Sequence, residues 1–264
     1  MLKGKVALIT GSATGGVGLS TAATLAAQGC RIILHGLGDA AEIEKNRKQL
    51  ADEHNVDVYS YRTDLSNVDE IEALVTTIER DIGPLDILVN NAVSRNRGPL
   101  ESLTREQWDR AVAVNLSAPF HLMRLTVPGM KAKRWGRIIN IASNLGLQGT
   151  NNRSDYVATK HGIIGLTRAI ALETVRFGIT CNAIAPGSTL TQQPEWQIVE
   201  IMKTENITRE EATERFLAAR QPSRRFILPE HIGQLIVFLC SDAASEITGS
   251  PIAIDGGWLA GNLL

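Results

Sequence analysis

The feature that most limits how this chain can fold is an alternation. Seven short apolar runs, "KVALIT", "RIILH", "VDVYSYRTD", "LDILVNNA", "GRIINIAS", "GITCNAIAPG" and "PIAIDGG", are separated by longer stretches with helical periodicity. Several runs are continuously apolar, as strands covered on both faces must be. Strand–helix alternation makes βαβ units, and these assemble into a parallel, doubly wound α/β sheet with helices on both faces. One helical stretch, "SNVDEIEALVTTIERDIG", shows its own ends: Ser66 and Asp69 make a capping-box-like start, and Gly83-Pro84 a stop. No linker, repeat or low-complexity tract interrupts the pattern, so a single domain over 1–264 is expected. The one departure is the polar, charged, helical region 188–228. An insertion there, after the carboxyl end of a strand, is where a substrate lid belongs.

Composition removes several classes of function. A formal net charge of -1 gives no general attraction to nucleic acid or to an anionic membrane. No apolar segment is long enough to span a bilayer, and nothing near the start resembles a signal peptide. Cys30, Cys181 and Cys240 sit in apolar contexts without metal-like spacing, which predicts reduced, buried thiols and a cytoplasmic setting. The five histidines are scattered, so no metal site is expected.

Between the first apolar run and the helical "LSTAATLAAQG" lies "TGSATGGVG", Thr10 to Gly18. Glycines in such a strand-to-helix turn let the backbone approach a pyrophosphate, which then sits on the helix amino terminus. As Gly-x-x-x-Gly-x-Gly the loop is one residue too long. Gly11 and Gly18 are fixed, while Gly15 and Gly16 divide one role and one inserted position. Far downstream, Tyr156 and Lys160 have i, i+4 spacing at the start of "DYVATKHGIIGLTRAIALE", so they share one side of a helix. A neighbouring ammonium disfavours the neutral phenol and lowers the tyrosine pKa, which makes Tyr156 a candidate acid-base. Ser143, at the end of "GRIINIAS", could hold a substrate oxygen. Alone, Tyr-x-x-x-Lys is an ordinary helix pair.

With "NNA" at Asn90 to Ala92, Asn115 in "AVNLS" and "PGSTLT" from Pro186, the set is no longer generic. In the order and spacing of these motifs, the chain resembles the short-chain dehydrogenase/reductase family over essentially its whole length. The resemblance implies a Rossmann-type fold and a role for each matching residue. Tyr156 exchanges the hydroxyl proton, Lys160 holds the nicotinamide ribose and lowers the tyrosine pKa, Ser143 orients the substrate oxygen, and Asn115 supports a proton-relay water. Asp64 contacts adenine, Asn91 secures the sheet beside the cofactor, and Thr191 meets the nicotinamide amide. Gly11, Gly16, Val17, Gly18, Leu37, Leu65, Ala92, Pro186, Gly187 and Thr189 complete the implied cofactor set.

A narrower likeness, carried by "MLKGKVALITGS", "GLGDAAEIEK", "YVATKHG", "QPSRRF" and "DGGW", is to bacterial D-3-hydroxybutyrate dehydrogenases, which are NAD-dependent. Their glycine loop is one residue shorter, so this loop is expected to be a working cradle with an insertion that the Gly15-Gly16 pair absorbs. The substrate end departs from that subgroup. Where it carries glutamine, histidine, lysine and a tryptophan after the Pro-Gly, this chain has Arg95, Leu145, Arg153 and Ser188, while Trp258 matches; "NNAG" has become "NNAV" at Val93. Guanidinium recognises carboxylate, phosphate or sulfonate through paired hydrogen bonds, so Arg153, and with it Arg95, is expected to meet an anionic group. Loss of the tryptophan predicts a roomier, more polar pocket. The stretch "LHGLGD" has neither an acid for a ribose 2′-hydroxyl nor an arginine for a 2′-phosphate. NAD is therefore expected, with NADP left open because His35 could be protonated near a phosphate.

These readings converge on hydride transfer between NAD and a secondary alcohol or ketone of a small anionic substrate, by a cytoplasmic homotetramer with no nucleic-acid or membrane partner. The alternatives are a dehydrogenase of an acidic or sulfonated sugar and, remotely, a non-catalytic cofactor sensor on the same fold.

Overall fold

In the computed structural model, which describes residues 2–218 and 220–261, every one of the apolar runs contains a strand. They are β1 (Val6–Ile9), β2 (Arg31–His35), β3 (Val58–Tyr61), β4 (Ile87–Asn90), β5 (Gly136–Ile141), β6 (Ile179–Pro186) and β7 (Pro251–Ile254). All pair in parallel, in the order β3-β2-β1-β4-β5-β6-β7. The helical stretches are α1 (Gly16–Ala26), α2 (Ala40–His54), α3 (Val68–Asp81), α4 (Arg105–Val112), α5 (Ala118–Lys133), α6 (Ser154–Thr174), α7 (Gln192–Glu205), α8 (Arg209–Ala218) and α9 (Pro229–Cys240).

Strand β1 shows why its run had to be continuously apolar. Ala7 and Ile9 pack into one layer, with Ala22 and Leu25 of α1 and Ile232 and Ile236 of α9. Val6 and Leu8 pack into the other, with Ile71 and Ile78 of α3 and Leu122 of α5. Successive side chains point to opposite faces, so a strand between two helix layers has no face to spare for polar residues. Full burial of a side chain such as Leu8 or Ile33 stabilises by about 1.5–3 kcal/mol. The chain winds outward from β1 to β3, then returns to lay β4 on the other side of β1. That reversal opens a crevice at the carboxyl ends of β1 and β4, where α/β sheets bind their ligands.

Helix α3 corrects one expectation. Its cap is Asn67, whose side chain accepts from the Asp69 amide (3.0 Å). Ser66 instead donates both its hydroxyl (2.9 Å) and its amide (3.0 Å) to Asp64 Oδ1, which holds it in the turn ahead of the helix. Between α4 and α5 the backbone widens into a π-helical turn over Ala113–Ser117, a local irregularity that often marks functional positions.

The region expected to be an insertion holds α7 and α8, packed on each other through Ile198, Ala212, Phe216 and Leu217. Its two ends meet. The Leu190 amide donates to Ile227 O (2.8 Å) and the Ile227 amide to Ser188 O (2.9 Å), so the segment leaves and rejoins the body through one narrow neck. No helix among the described residues is long and apolar enough to cross a membrane.

Candidate active site

A cavity of about 840 Å³ occupies the crevice at the carboxyl ends of the strands. One end of it is made of backbone. Gly11 and Gly18 are where the loop folds against itself: a Cβ on Gly18 would overlap Gly11 O and approach Asn91 Nδ2 and Ser12 Cα to 2.7 Å. A Cβ on Gly11 would stand 2.9 Å from Ala92 Cα. Asn91 locks the ends of β1 and β4 together, its Nδ2 donating to Thr10 O (2.8 Å) and Gly11 O (3.0 Å). The Thr10 hydroxyl accepts from the Asn91 and Ala92 amides (2.9 and 3.0 Å).

Both members of the glycine pair use conformations that side chains resist. Gly15 lies at φ 121°, ψ -164°, and Gly16 at φ 64°. Nothing lies within 4 Å of a Cβ built on Gly15, whereas one on Gly16 would reach Thr191 Cγ2 at 4.0 Å. Gly15 precedes α1 with its Cβ direction open and its carbonyl accepting from the Leu19 amide (3.4 Å), and Gly16 begins the helix. The helix start has no side-chain cap, so the amide groups of its first turn face the cavity. An uncapped helix start, a loop surface kept clear of Cβ atoms and the half-exposed apolar side chain of Leu37 at the rim fit a dinucleotide, its pyrophosphate on the helix end. Val17, Asp64, Leu65 and Ala92 line the same end. Asp64 also pairs with Arg110 (3.5 Å).

His35 departs from expectation. Its ring is 3% exposed; Nδ1 accepts from the Gly11 amide (3.3 Å) and Nε2 meets Thr63 O (3.0 Å). That pair of bonds requires a neutral imidazole with its proton on Nε2. Burial lowers its pKa, a direction the Thr63 carbonyl and Asp64 only partly oppose. His35 holds the glycine loop and carries no charge to a phosphate.

The other end of the cavity is made of side chains. Tyr156 and Lys160 stand one turn apart at the start of α6, both buried. The Lys160 ammonium lies 5.6 Å from the centre of the Tyr156 ring and donates to Ile141 O (2.6 Å). Ser143 lies two residues beyond the end of β5 and caps the short turn Asn144–Gly146, its oxygen accepting from the Leu145 amide (3.1 Å). Burial is the strongest single influence on the Tyr156 phenol and pushes its pKa up. Lys160, Arg95, a hydrogen bond from Ser143 and Arg153 together outweigh it, and the net direction is downward. For Lys160, burial dominates and lowers the pKa, with Tyr156 opposing and Arg95 adding to it. Asn115, on the π-helical turn, spends its whole side chain on the fold: Oδ1 accepts from the Ser94 amide (2.7 Å), and Nδ2 donates to Ser94 O (2.9 Å) and Thr159 Oγ1 (3.2 Å).

Two guanidinium groups lie against the Tyr156 ring, Arg153 at 4.5 Å and Arg95 at 5.8 Å from its centre. Arg153 is half-buried, and its Nε is buried without a hydrogen-bond partner. Trp258 reaches the cavity from a short turn that Asp255 holds through the Gly257 and Leu259 amides (3.0 and 2.8 Å). Pro186, Gly187, Thr189 and Thr191 run along its edge, and Ser188 and Leu145 also line it. Every residue expected at the site on sequence grounds lines this one cavity except Asn115, which sits behind it. The sequence did not single out Asn144, Gln197 or Arg220, and it offered Arg97 only as a solvated loop residue; all four line it too. Arg97 had a visible signal, a second arginine two residues after Arg95; Arg220 and Gln197 had none, since only the folded insertion brings them in. The arrangement can hold a hydroxyl or carbonyl oxygen against Ser143 and Tyr156 and move a proton there.

The family profile described as Enoyl-(Acyl carrier protein) reductase matches residues 11–259. The D-beta-hydroxybutyrate dehydrogenase of Cupriavidus necator is 44% identical over 260 residues, 98% of this chain and 100% of the relative. The protein of the same name from Rhizobium meliloti is 43% identical over 97% of this chain and 99% of its own. Among solved structures, the L-sorbose reductase of Gluconobacter frateurii, complexed with NADPH and L-sorbose, superposes with a TM-score of 0.91 at 30% identity, covering 98% of both chains. A parallel sheet in this order, a glycine cradle at its switch point and likenesses that run nearly end to end make the chain an oxidoreductase of CH–OH or ketone groups that belongs to the short-chain dehydrogenase/reductase family.

Proposed function

We propose that the protein is an NAD-dependent dehydrogenase of a secondary hydroxyl on a small anionic substrate, with Asn115, Ser143, Tyr156 and Lys160 as its catalytic residues. The observation that carries this reading is the pair of guanidinium groups against the face of Tyr156, with Ser143 and Lys160 beside it. A nicotinamide held along the glycine cradle supplies the hydride acceptor. Ser143 holds the substrate oxygen. Tyr156, its pKa lowered, takes the hydroxyl proton as general base in oxidation and returns it in reduction. Lys160 stabilises the phenolate and offers its ammonium to the cofactor ribose. The Asn115 side chain is engaged with Ser94 and Thr159, so on this reading the group it offers a relay water is its main-chain carbonyl in the π-helical turn. Arg153, with Arg95, pairs with the anionic group and fixes which carbon faces the cofactor.

Three features support NAD over NADP. His35 is held neutral, Gly36, Leu37 and Gly38 after β2 carry no cation, and Arg110 is occupied by Asp64. A second reading, an acidic or sulfonated sugar as substrate, draws on the 840 Å³ cavity with a serine at position 188 and on the fold likeness to a sugar reductase. One panel tests both: hydroxy acids, sugar acids, sulfonated sugars and neutral sugars, each assayed for reduction of NAD and of NADP. An anionic secondary alcohol with NAD should give the highest kcat/KM. A neutral sugar or NADP at the top of the ranking sinks the corresponding half of the proposal.

A further inference from the structure

The substrate end of the cavity holds more positive charge than one anionic group accounts for. Arg97 and Arg220 line it together with Arg95 and Arg153. Among the described residues no ion pair joins Arg97, Arg153 or Arg220 to a carboxylate. The buried carboxylate beside Arg153, Asp155, accepts from Asn96 Nδ2 (2.8 Å), and the Gly98 amide donates to Asn152 O (3.1 Å). These two bonds clamp the loop of Arg95 and Arg97 against the segment of Arg153. The acid thus holds the two segments together, and of the arginines Arg153 feels its attraction.

Arg220 comes from the other side. It is stacked on Phe216, 4.4 Å from the ring centre, and donates from one terminal nitrogen to Phe216 O (2.7 Å), which fixes it to the inserted helices. Arg97 repels both Arg153 and Arg220, lowering the pKa of each, although burial is the larger cause in both. Arg97 thus shares the cavity with a guanidinium of the body and one of the insertion and is near enough to act on both. In a concave site with low-dielectric walls like charges placed this close repel one another, and a bound anion relieves the repulsion.

We propose that Arg97 and Arg220 form a second anion subsite, so that the substrate carries two separate anionic groups, one held at Arg153 and one between the body and the insertion. This rests on the reading above that the substrate is an anionic hydroxyl compound. The second group is a carboxylate, sulfonate or phosphate, and binding it draws the insertion onto the body through Arg220.

Calorimetric titration of the enzyme–NAD complex with butyrate, glutarate, adipate, 4-sulfobutyrate and 4-phosphonobutyrate tests this without knowledge of the natural substrate. Butyrate is the monoanion, and the others add a second charge of each kind. At least one dianion should bind about tenfold or more tightly than butyrate, since charge-assisted bonds are the strong ones. In Arg97→Gln and in Arg220→Gln the ratio of dianion to monoanion affinity should fall close to one. Arg220 is packed on Phe216, so its loss can disturb the insertion; Arg97→Gln changes an exposed loop residue and decides the matter by itself. The subsite is overturned if no dianion surpasses butyrate, or if Arg97→Gln lowers both affinities alike. Butyrate binding with no preference for dianions removes the second subsite and leaves the anionic-substrate reading intact. Failure of every anion to bind, with turnover of a neutral sugar, removes both.

Discussion

The two ends of the cavity are built on opposite principles. The cofactor end uses main-chain atoms, glycines and short polar side chains, all locked by hydrogen bonds within the fold, such as Asn91 to Thr10 and Gly11, and His35 to Gly11. The substrate end uses long cationic side chains from separate segments: the loop after β4, the start of α6 and the inserted helices. A backbone surface gives a fixed shape that suits any pyrophosphate. Side chains on clamped loops give charge in a particular pattern, and they can change while the sheet does not. The likeness to hydroxybutyrate dehydrogenases runs over nearly the whole chain, and on the reading proposed above the substrate is selected at the arginine-built end.

The largest effect should come where the two ends meet. Tyr156→Phe removes the proton-transfer oxygen and nothing of the ring packing against Arg153. Turnover should fall by roughly 10²–10⁴-fold, the usual range for a general acid-base. NAD affinity, measured by fluorescence titration, should change little, because the cradle does not depend on the phenol. Near-normal turnover would remove Tyr156 from the mechanism.

Next comes a lesion confined to the backbone-built end. Gly18→Val places a branched side chain where Gly11 O, Asn91 Nδ2 and Ser12 Cα already converge. These are backbone and locked side-chain atoms, so the loop must move, at a cost of about 1–3 kcal/mol or more. NAD affinity should drop about hundredfold, with a lower Tm by circular dichroism. If NAD binds Gly18→Val as it binds wild type, the cradle lies elsewhere and the contrast between the two ends fails.

Much of this was legible in the sequence, for reasons that differ along the chain. The strands were visible because those inside the sheet are sandwiched between helix layers and nearly continuously apolar, while the edge strands β3 and β7, only partly buried, showed through their place in the alternation. The glycine loop was visible because close backbone approach requires Gly11 and Gly18, whose Cβ atoms would collide with Ala92 and with Gly11 O. The strand order was not visible, since apolar runs carry no record of which neighbour they pair with. The cap of α3 was misassigned by one residue, because Ser66 and Asn67 are both good caps and only the position of the Asp64 carboxylate separates them. His35 was ambiguous because a histidine's charge depends on burial, which local sequence does not reveal. Arg220 lies far along the chain from Arg97, and only the closed neck at Ser188 and Ile227 brings the inserted helices back over the cavity.

A smaller effect isolates the side-chain-built end. Arg153→Met keeps much of the stem and deletes the charge. Losing charge-assisted hydrogen bonds of about 1.5–3 kcal/mol corresponds to roughly a ten- to hundredfold fall in kcat/KM on the anionic substrate. A second readout separates binding from electrostatics. Arg153 is one of the cations that lower the Tyr156 pKa, and oxidation uses the deprotonated phenol. Deleting the charge lets that pKa rise, so the acid limb of the kcat profile should move to higher pH. Arg153→Lys should leave the limb near its wild-type position while recovering only part of the affinity, since an ammonium cannot make the paired planar contact. An unmoved limb in Arg153→Met would show that the guanidinium does not act on the phenol.

The smallest effect should follow from deleting Gly15, and it tests how far the backbone-built end tolerates change. Gly15 has no atom within 4 Å of its Cβ direction, and its carbonyl accepts only a long bond from the Leu19 amide (3.4 Å). Its φ of 121° with ψ of -164° is a region open essentially to glycine alone. Deletion shortens the loop by one residue and leaves Gly16 as the residue entering α1. NAD affinity should change by only a few-fold. Gly15→Ala should be worse than the deletion, because it keeps the extra residue and forces a side chain into a conformation costing about 1–3 kcal/mol. The order of the two variants is the sharp outcome. Space alone would rank the alanine as harmless, since nothing stands in its way, whereas backbone strain ranks it below outright removal of the residue. An alanine variant that binds NAD as well as wild type, beside a deletion that does not, would mean that the extra residue sets the loop's length for the cofactor and that its conformation is incidental.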